Sequence, residues 1–249
     1  HRDLHRLIRR QRQMCIRDSI LSGNGGSFAF RDLSAYFING FGEDFTSLKM
    51  GQELKKKLAL LEPEEIQAIL EKHQSQKISE PALKPSAVLL PLLKRDGIWH
   101  LLFTKRSQKV EAHKGEISFP GGVIEENETP QQAVLRECEE ELGIKSSRIR
   151  IIGKLDEIFT ITGFKIQPFV GILEELEFNP NPEEIEEILI LPLEQFLEPG
   201  RLQVENWSYQ GRDYPVYFFH LPGVVVWGAT AKITKNFLER ILDFSFSDL

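Results

Sequence analysis

Apolar residues recur along this chain in two rhythms, and the change between them falls near Pro81. Before it, Leu54, Leu58 and Leu61 stand at helical spacing, and Pro63, suited to a first helical turn, precedes Ile66, Ile69 and Leu70. The spacing predicts a short helical hairpin within residues 50–80. Pro81 and Pro85 mark a linker, after which the runs fit strands: Ala87 to Leu92, an Asp96-Gly97 hairpin turn, then Ile98 to Phe103. Further β-like runs follow at Ile149 to Leu155, Lys165 to Leu173, Ile185 to Leu191, Leu202 to Tyr209 and Val216 to Leu221. Two helices are expected between or after them, Thr129 to Leu142 and Ala229 to Leu242, the second with Ile233, Phe237 and Ile241 four apart as a core-facing stripe. With no internal repeat, the simplest packing is an α/β fold: a mixed β-sheet between helices, in one domain over residues 81–249.

Charge divides the chain differently. In the first 20 residues six arginines against Asp3 and Asp18 give +4, which leaves −10 for the remainder of a chain whose net charge is −6. His1 to Ile20 includes no clear amphipathic run, and Leu21 to Lys49 is Gly, Ser and Asn with scattered Phe and weak periodicity. We read 1–49 as a non-native or disordered segment, resembling a translated adapter fragment more than an Arg-rich transit peptide, with a native start expected near Met50. The acidic remainder disfavours a nucleic-acid groove. No window approaches the roughly 18 apolar residues of a membrane helix, so no membrane partner is expected. Cys15 and Cys138 lie far apart, which leaves no disulfide framework and no CxxC pair. A cytoplasmic location is the default expectation.

The chemistry is concentrated in Phe119 to Ile144, FPGGVIEENETPQQAVLRECEEELGI. Thr129 is a suitable N-cap with Pro130 in the first turn, and Gly143 stands where a left-handed residue would end the helix. At 100° per residue Glu137, Glu140 and Glu141 share one arc, while Val134, Leu135, Cys138 and Leu142 form another. Three carboxylates at such spacing repel one another near a helix end already unfavourable to anions, and a hard divalent cation relieves that cost. A bare EEE run would read as a solvated face; its surroundings argue otherwise.

The stretch resembles the Nudix box, G-x5-E-x7-R-E-U-x-E-E-x-G-U, where U is an apolar residue. Gly122, Glu128, Arg136, Glu137, Glu140, Glu141 and Gly143 supply all seven fixed letters, and Cys138 and Ile144 fill the U positions. The resemblance implies an α/β/α sandwich that binds Mg²⁺ or Mn²⁺ and hydrolyses a diphosphate joined to another group. Carried over, Glu137 and Glu141 are the principal metal ligands and Glu140 an additional or water-mediated one, these three being the catalytic carboxylates. Arg136 and Glu128 brace the loop as an ion pair, while Gly121 and Gly122 let the backbone turn tightly into the site.

Upstream, LLFTKRSQKVEAHKGEISFPGG resembles the added signature of the coenzyme A diphosphatase branch through Thr104, Arg106, Ser107, Gly115, Phe119, Pro120, Gly121 and Gly122. Glu111 replaces one Arg of that signature and reverses the local charge. TITGFKIQPFVG (Thr160 to Gly171) and WGATAKI (Trp227 to Ile233) are similar to the same branch. The implied reaction is CoA or acyl-CoA plus water giving 4′-phosphopantetheine and adenosine 3′,5′-bisphosphate. The substrate is then a small nucleotide-type molecule, with Lys105, Arg106 and His113 as candidate contacts, and a homodimer is compatible with this reading. Glu183, Glu184, Glu186 and Glu187 offer a further carboxylate that spacing does not select. Trp99, Trp207, Trp227, Tyr209 and Tyr217 are read as core or hairpin aromatics. Two alternatives stay open: a diphosphatase for ADP-ribose, NADH or a dinucleoside polyphosphate, and a Nudix fold used only for binding.

Overall fold

The computed structural model describes residues 45–109, 114–174, 177–209 and 211–249. Most of the 1–49 segment lies outside them, as do Glu111 and His113. The helical hairpin is present as α1 (Phe45–Leu60) and α2 (Pro63–Lys72), with Pro63 opening the second helix. Helix α1 runs through Met50 without interruption.

Eight strands among the described residues form one mixed sheet: β1 (Lys84–Arg95), β2 (Ile98–Arg106), β3 (Ile117–Ser118), β4 (Gly121–Val123), β5 (Ile149–Lys154), β6 (Ile158–Phe159), β7 (Phe164–Leu173) and β8 (Ile185–Pro192). Its central pair, β1 and β7, is parallel from Lys84↔Phe164 to Leu92↔Ile172, and the other pairings are antiparallel. Asp96 and Gly97, both at positive φ, turn β1 into β2. The expected runs at Leu202 and Val216 leave this sheet. As β9 (Leu202–Tyr209) and β10 (Arg212–Leu221) they pair with β11 (Val224–Trp227) in a separate three-stranded antiparallel sheet. Strands β3, β4, β6 and β11, at two to four residues each, are too short for a period of two to register.

Successive residues of β1 alternate between two cores. Ala87, Leu89 and Leu93 face helix α3 (Pro130–Leu142), meeting Ala133, Val134, Cys138 and Leu142. Leu90 and Leu92 face the opposite layer, where α1 and α2 contribute Leu54, Leu58, Leu61, Ile66 and Leu70 beside Ile233, Phe237 and Ile241 of helix α4 (Gly228–Leu242). The result is helix, mixed sheet, helix. The N-terminal hairpin shares the larger core, and Trp99 Nε1 donates to Leu61 O at 3.0 Å. No described helix is long and apolar enough to cross a membrane.

Candidate active site

Helix α3 is fixed at both ends by its own residues. Thr129, in extended conformation, accepts at Oγ1 from Gln132 N (3.3 Å), while Gln132 Oε1 accepts from Thr129 N (2.8 Å). Gly143 closes the helix at φ 71°, its N–H donating to Glu139 O at 3.0 Å. Docking of the Val134–Cys138–Leu142 face then sets the rotation of the acidic arc. The Glu141 side chain is 3% exposed, Glu137 16% and Glu140 53%, so two of the three carboxylates are withdrawn from water and the third is not.

The glycine turn meets those two acids directly. Gly121, at φ 147°, lies so close to β1 that a Cβ would come within 2.3 Å of Ala87 O, and its N–H donates to Glu141 Oε2 at 3.2 Å. At Gly122 a Cβ would stand 2.2 Å from Glu137 Oε1. A side chain at Gly121 would push the turn off β1, and one at Gly122 would displace the Glu137 carboxylate.

Burial pushes Glu141 up to about 8; the Arg106 guanidinium, with Nη1 3.7 Å from Glu141 Oε1, opposes the rise, and the charges of Glu137 and Glu184 add to it. Glu137 is also raised, first by burial, and Arg136 opposes that rise. Arg136 is the hub of the outer ring. Its Nε and Nη2 take the two oxygens of Glu128 at 2.9 and 3.1 Å, Nη2 reaches Val123 O at 3.3 Å, and Nη1 bridges Glu137 and Glu140 at 3.0 Å each. This pairing holds the Glu128 carboxyl below its ordinary range and stabilises the charged guanidinium. Loop and helix are thereby tied across the site.

The basic candidates separate at a shift in the β2–β8 register between Lys105 and Arg106. Arg106 Nη1 lies 3.7 Å from Glu141, whereas Lys105 pairs with Glu186 at 2.6 Å and Glu187 at 3.9 Å. Arg106 Nε is buried with no hydrogen-bond partner. Tertiary structure also separates the four downstream glutamates. Glu183 pairs with Lys109 at 2.7 Å, and Glu186 and Glu187 turn to Lys105. Glu184 alone of the four adds its charge to both Glu137 and Glu141. Its carbonyl accepts from Ser107 N at 2.7 Å, its Oε1 accepts from Asn181 Nδ2 at 3.1 Å, and Asn181 N donates to Glu141 O at 3.0 Å. Sequence spacing missed this selection; the buried Ile185, paired with Arg106, was the available signal.

Two desolvated carboxylates, a neighbouring third and a side-chain-free floor form an all-oxygen donor set suited to a hard divalent cation that retains waters. Among the described residues they do not close into a three-residue cage; Arg136 engages Glu140, and Asn181 engages Glu184.

Comparison with known proteins agrees with this geometry. The NUDIX domain family matches residues 83–210. An uncharacterized Nudix hydrolase, NudL, of Enterobacter sp. (strain 638) is 32% identical over 160 residues, which cover 64% of this chain and 83% of that protein. NudL of Escherichia fergusonii is similar to the same extent. Among solved structures, an Ap4A hydrolase binary complex of C. elegans aligns with TM-score 0.39 and 19% identity over 44% of this chain and 80% of its own. A MutT/nudix family protein of Enterococcus faecalis aligns with TM-score 0.44 and 14% identity over 77% of this chain and 74% of its own. The chain therefore belongs to the Nudix hydrolases, enzymes that act on diphosphate bonds of small nucleotide-type substrates, generally with a divalent metal cation.

Proposed function

We propose that this protein hydrolyses the diphosphate of coenzyme A or acyl-CoA to 4′-phosphopantetheine and adenosine 3′,5′-bisphosphate, using Mg²⁺ or Mn²⁺. Residues 81–249 carry the chemistry, and the helices of 50–80 complete the core beneath it. The observation that carries the reading is the buried Glu141 carboxylate, 3% exposed, set between Arg106 and the Gly121 N–H beside Glu137. A charge so far from water is costly to maintain unless the site is built for a cation. Glu137 and Glu141 hold the metal, with Glu140 or Glu184 as further oxygen donors. When bound, the cation neutralises charge on the diphosphate and lowers the pKa of a coordinated water.

The chain's own residues set the geometry for that chemistry. Arg106, its guanidinium 3.7 Å from Glu141 and partly exposed, takes a phosphate oxygen. The Gly121 N–H keeps the Glu141 carboxylate oriented, and Arg136 with Glu128 keeps the loop registered against α3. The choice of CoA rests on the upstream signature from Thr104 to Gly122. Glu111, in place of an Arg of that signature, favours a second reading in which the same site cleaves ADP-ribose, NADH or a dinucleoside polyphosphate.

The full chain, incubated with each of these substrates in Mg²⁺, Mn²⁺ or EDTA and followed by chromatography, tests both readings. Metal-dependent release of adenosine 3′,5′-bisphosphate from CoA, faster than turnover of the others, is the expected result. Faster cleavage of another diphosphate would transfer the assignment to it. Absence of cleavage with either metal would leave a binding module.

A further inference from the structure

Three of the four downstream glutamates end on a lysine, and one ends on an amide. Glu183 pairs with Lys109, while Glu186 and Glu187 share Lys105. Glu184 is half-buried, and among the described residues its carboxylate makes no ion pair. Its Oε1 accepts instead from Asn181 Nδ2 at 3.1 Å, which leaves Oε2 without a protein partner among those residues. A neutral donor fixes a carboxylate without neutralising it, whereas a lysine would do both. The charge that Asn181 leaves intact is the one that acts on Glu137 and Glu141.

Asn181 is itself tied to the acidic helix. The last carbonyls of an α-helix have no donor within it, and the segment after Phe178 supplies two. Asn179 N donates to Leu142 O at 2.9 Å and Asn181 N to Glu141 O at 3.0 Å. Gly143 admits this segment, since a Cβ there would stand 2.8 Å from Asn179 O. From that anchor the chain turns into β8. Asn181 O accepts from Glu184 N at 3.0 Å and from Ile185 N at 2.8 Å, and Asn181 Oδ1 accepts from Glu183 N at 3.1 Å. Ser107 N, next to Arg106, donates to Glu184 O at 2.7 Å and holds the turn from the side of β2. A single residue therefore grips the main chain of Glu141 and the side chain of Glu184, so the two acids are registered against each other although they lie on different elements.

We infer that Asn181 is a positioning residue of the cation site: its amide holds Glu184 as a further oxygen donor beside Glu137 and Glu141, for the metal or for one of its waters. The inference rests on the metal-dependent reading above and is independent of the choice of CoA. Asn181 acts through Glu184 and has no contact of its own with the reacting atoms.

The test is calorimetric titration with Mn²⁺ alone, without substrate, on the full-length protein and its Asn181→Ser, Glu184→Gln and doubly substituted variants. Serine at 181 keeps the backbone bonds and can accept from Glu183 N, but its side chain is too short to reach Glu184. N181S should weaken Mn²⁺ binding about tenfold, the lower end of what losing the partner of a metal-site residue costs, and E184Q should weaken it at least as much. In the E184Q background the added N181S change should alter the affinity by less than about twofold, because the group through which Asn181 acts is already gone. A residue that only held the fold together would add its own loss to that of E184Q, so additive losses would overturn the inference. Mn²⁺ affinity in N181S equal to that of wild type would do the same. If N181S does not fold, E184Q carries the test, since it leaves Asn181 and every backbone bond of the turn in place; unchanged Mn²⁺ affinity there removes the role of Glu184 and with it that of Asn181. Mn²⁺ binding that follows the expected pattern in a protein that cleaves no CoA leaves the inference standing and removes the CoA reading. Absence of Mn²⁺ binding by wild type overturns the inference whatever the turnover of CoA.

Discussion

Glu141 concentrates the cost of this site in a single residue. Its carboxyl titrates near 8 in the folded chain because it is buried, against 4.5 ordinarily. Below pH 4.5 it is protonated in both folded and unfolded chains and contributes no pH dependence. Between 4.5 and 8 the unfolded chain releases the proton while the folded chain retains it, so this group makes the metal-free protein less stable as pH rises through that window. Thermal melts in EDTA at a series of pH values should show that downward trend in wild type and a flatter one in Glu141→Gln; identical trends would exclude Glu141 as the source. The neighbouring glycine allows a sharper separation of site from fold. Gly122→Ala forces the Glu137 carboxylate aside, and because the displaced group is the mobile end of a side chain, hydrolysis should fall while the melting temperature changes little. Arg136→Ala should reduce activity by about 10–100-fold, as expected when the group orienting a ligand is lost. Steady-state rates of both variants under saturating metal provide the check.

The α3 segment carried most of its own instructions. Thr129, Pro130, Gln132 and Gly143 are local signals, and each stands in the structure where its chemistry requires. Replacing Thr129 with Ala should cost about 1 kcal/mol in denaturant unfolding through loss of the N-cap bond. Equal midpoints for the two proteins would show that Pro130 and the packed face are sufficient. The ion pair of Arg136 with Glu128 was legible for the same reason, since both residues belong to one compact loop–helix unit. Lys105 and Arg106 were not separable in this way. Their different partners depend on β8, which brings Glu186 and Glu187 to Lys105 and shifts register between Lys105 and Arg106. Strand β4 was equally hidden: Gly121 and Gly122 disfavour a strand, one Val beside them gives no pattern, and the three are paired through β1.

Across the whole molecule, the N-terminal helices and the C-terminal helix fill one core. Ile66 of α2 and Phe237 of α4 are fully buried in the same cluster, so truncation of either should be felt throughout. Ile66→Ala should cost roughly 2–5 kcal/mol and lower a single cooperative transition. A separate early transition confined to α1 and α2, detected by hydrogen exchange, would instead make the hairpin an independent unit. The chain by itself determined its helices, its longer strands, its diphosphate chemistry and the identity of the acidic helix, because these depend on period, caps and a motif contained within about twenty residues. Tertiary structure decided which carboxylates lose their water, which of four downstream glutamates turns toward them, and which of two adjacent basic residues meets them. It also moved β9 and β10 into a second sheet and placed Asn181 between the end of α3 and Glu184. Those outcomes depend on strand register and helix rotation, which are fixed only when distant segments pack against one another.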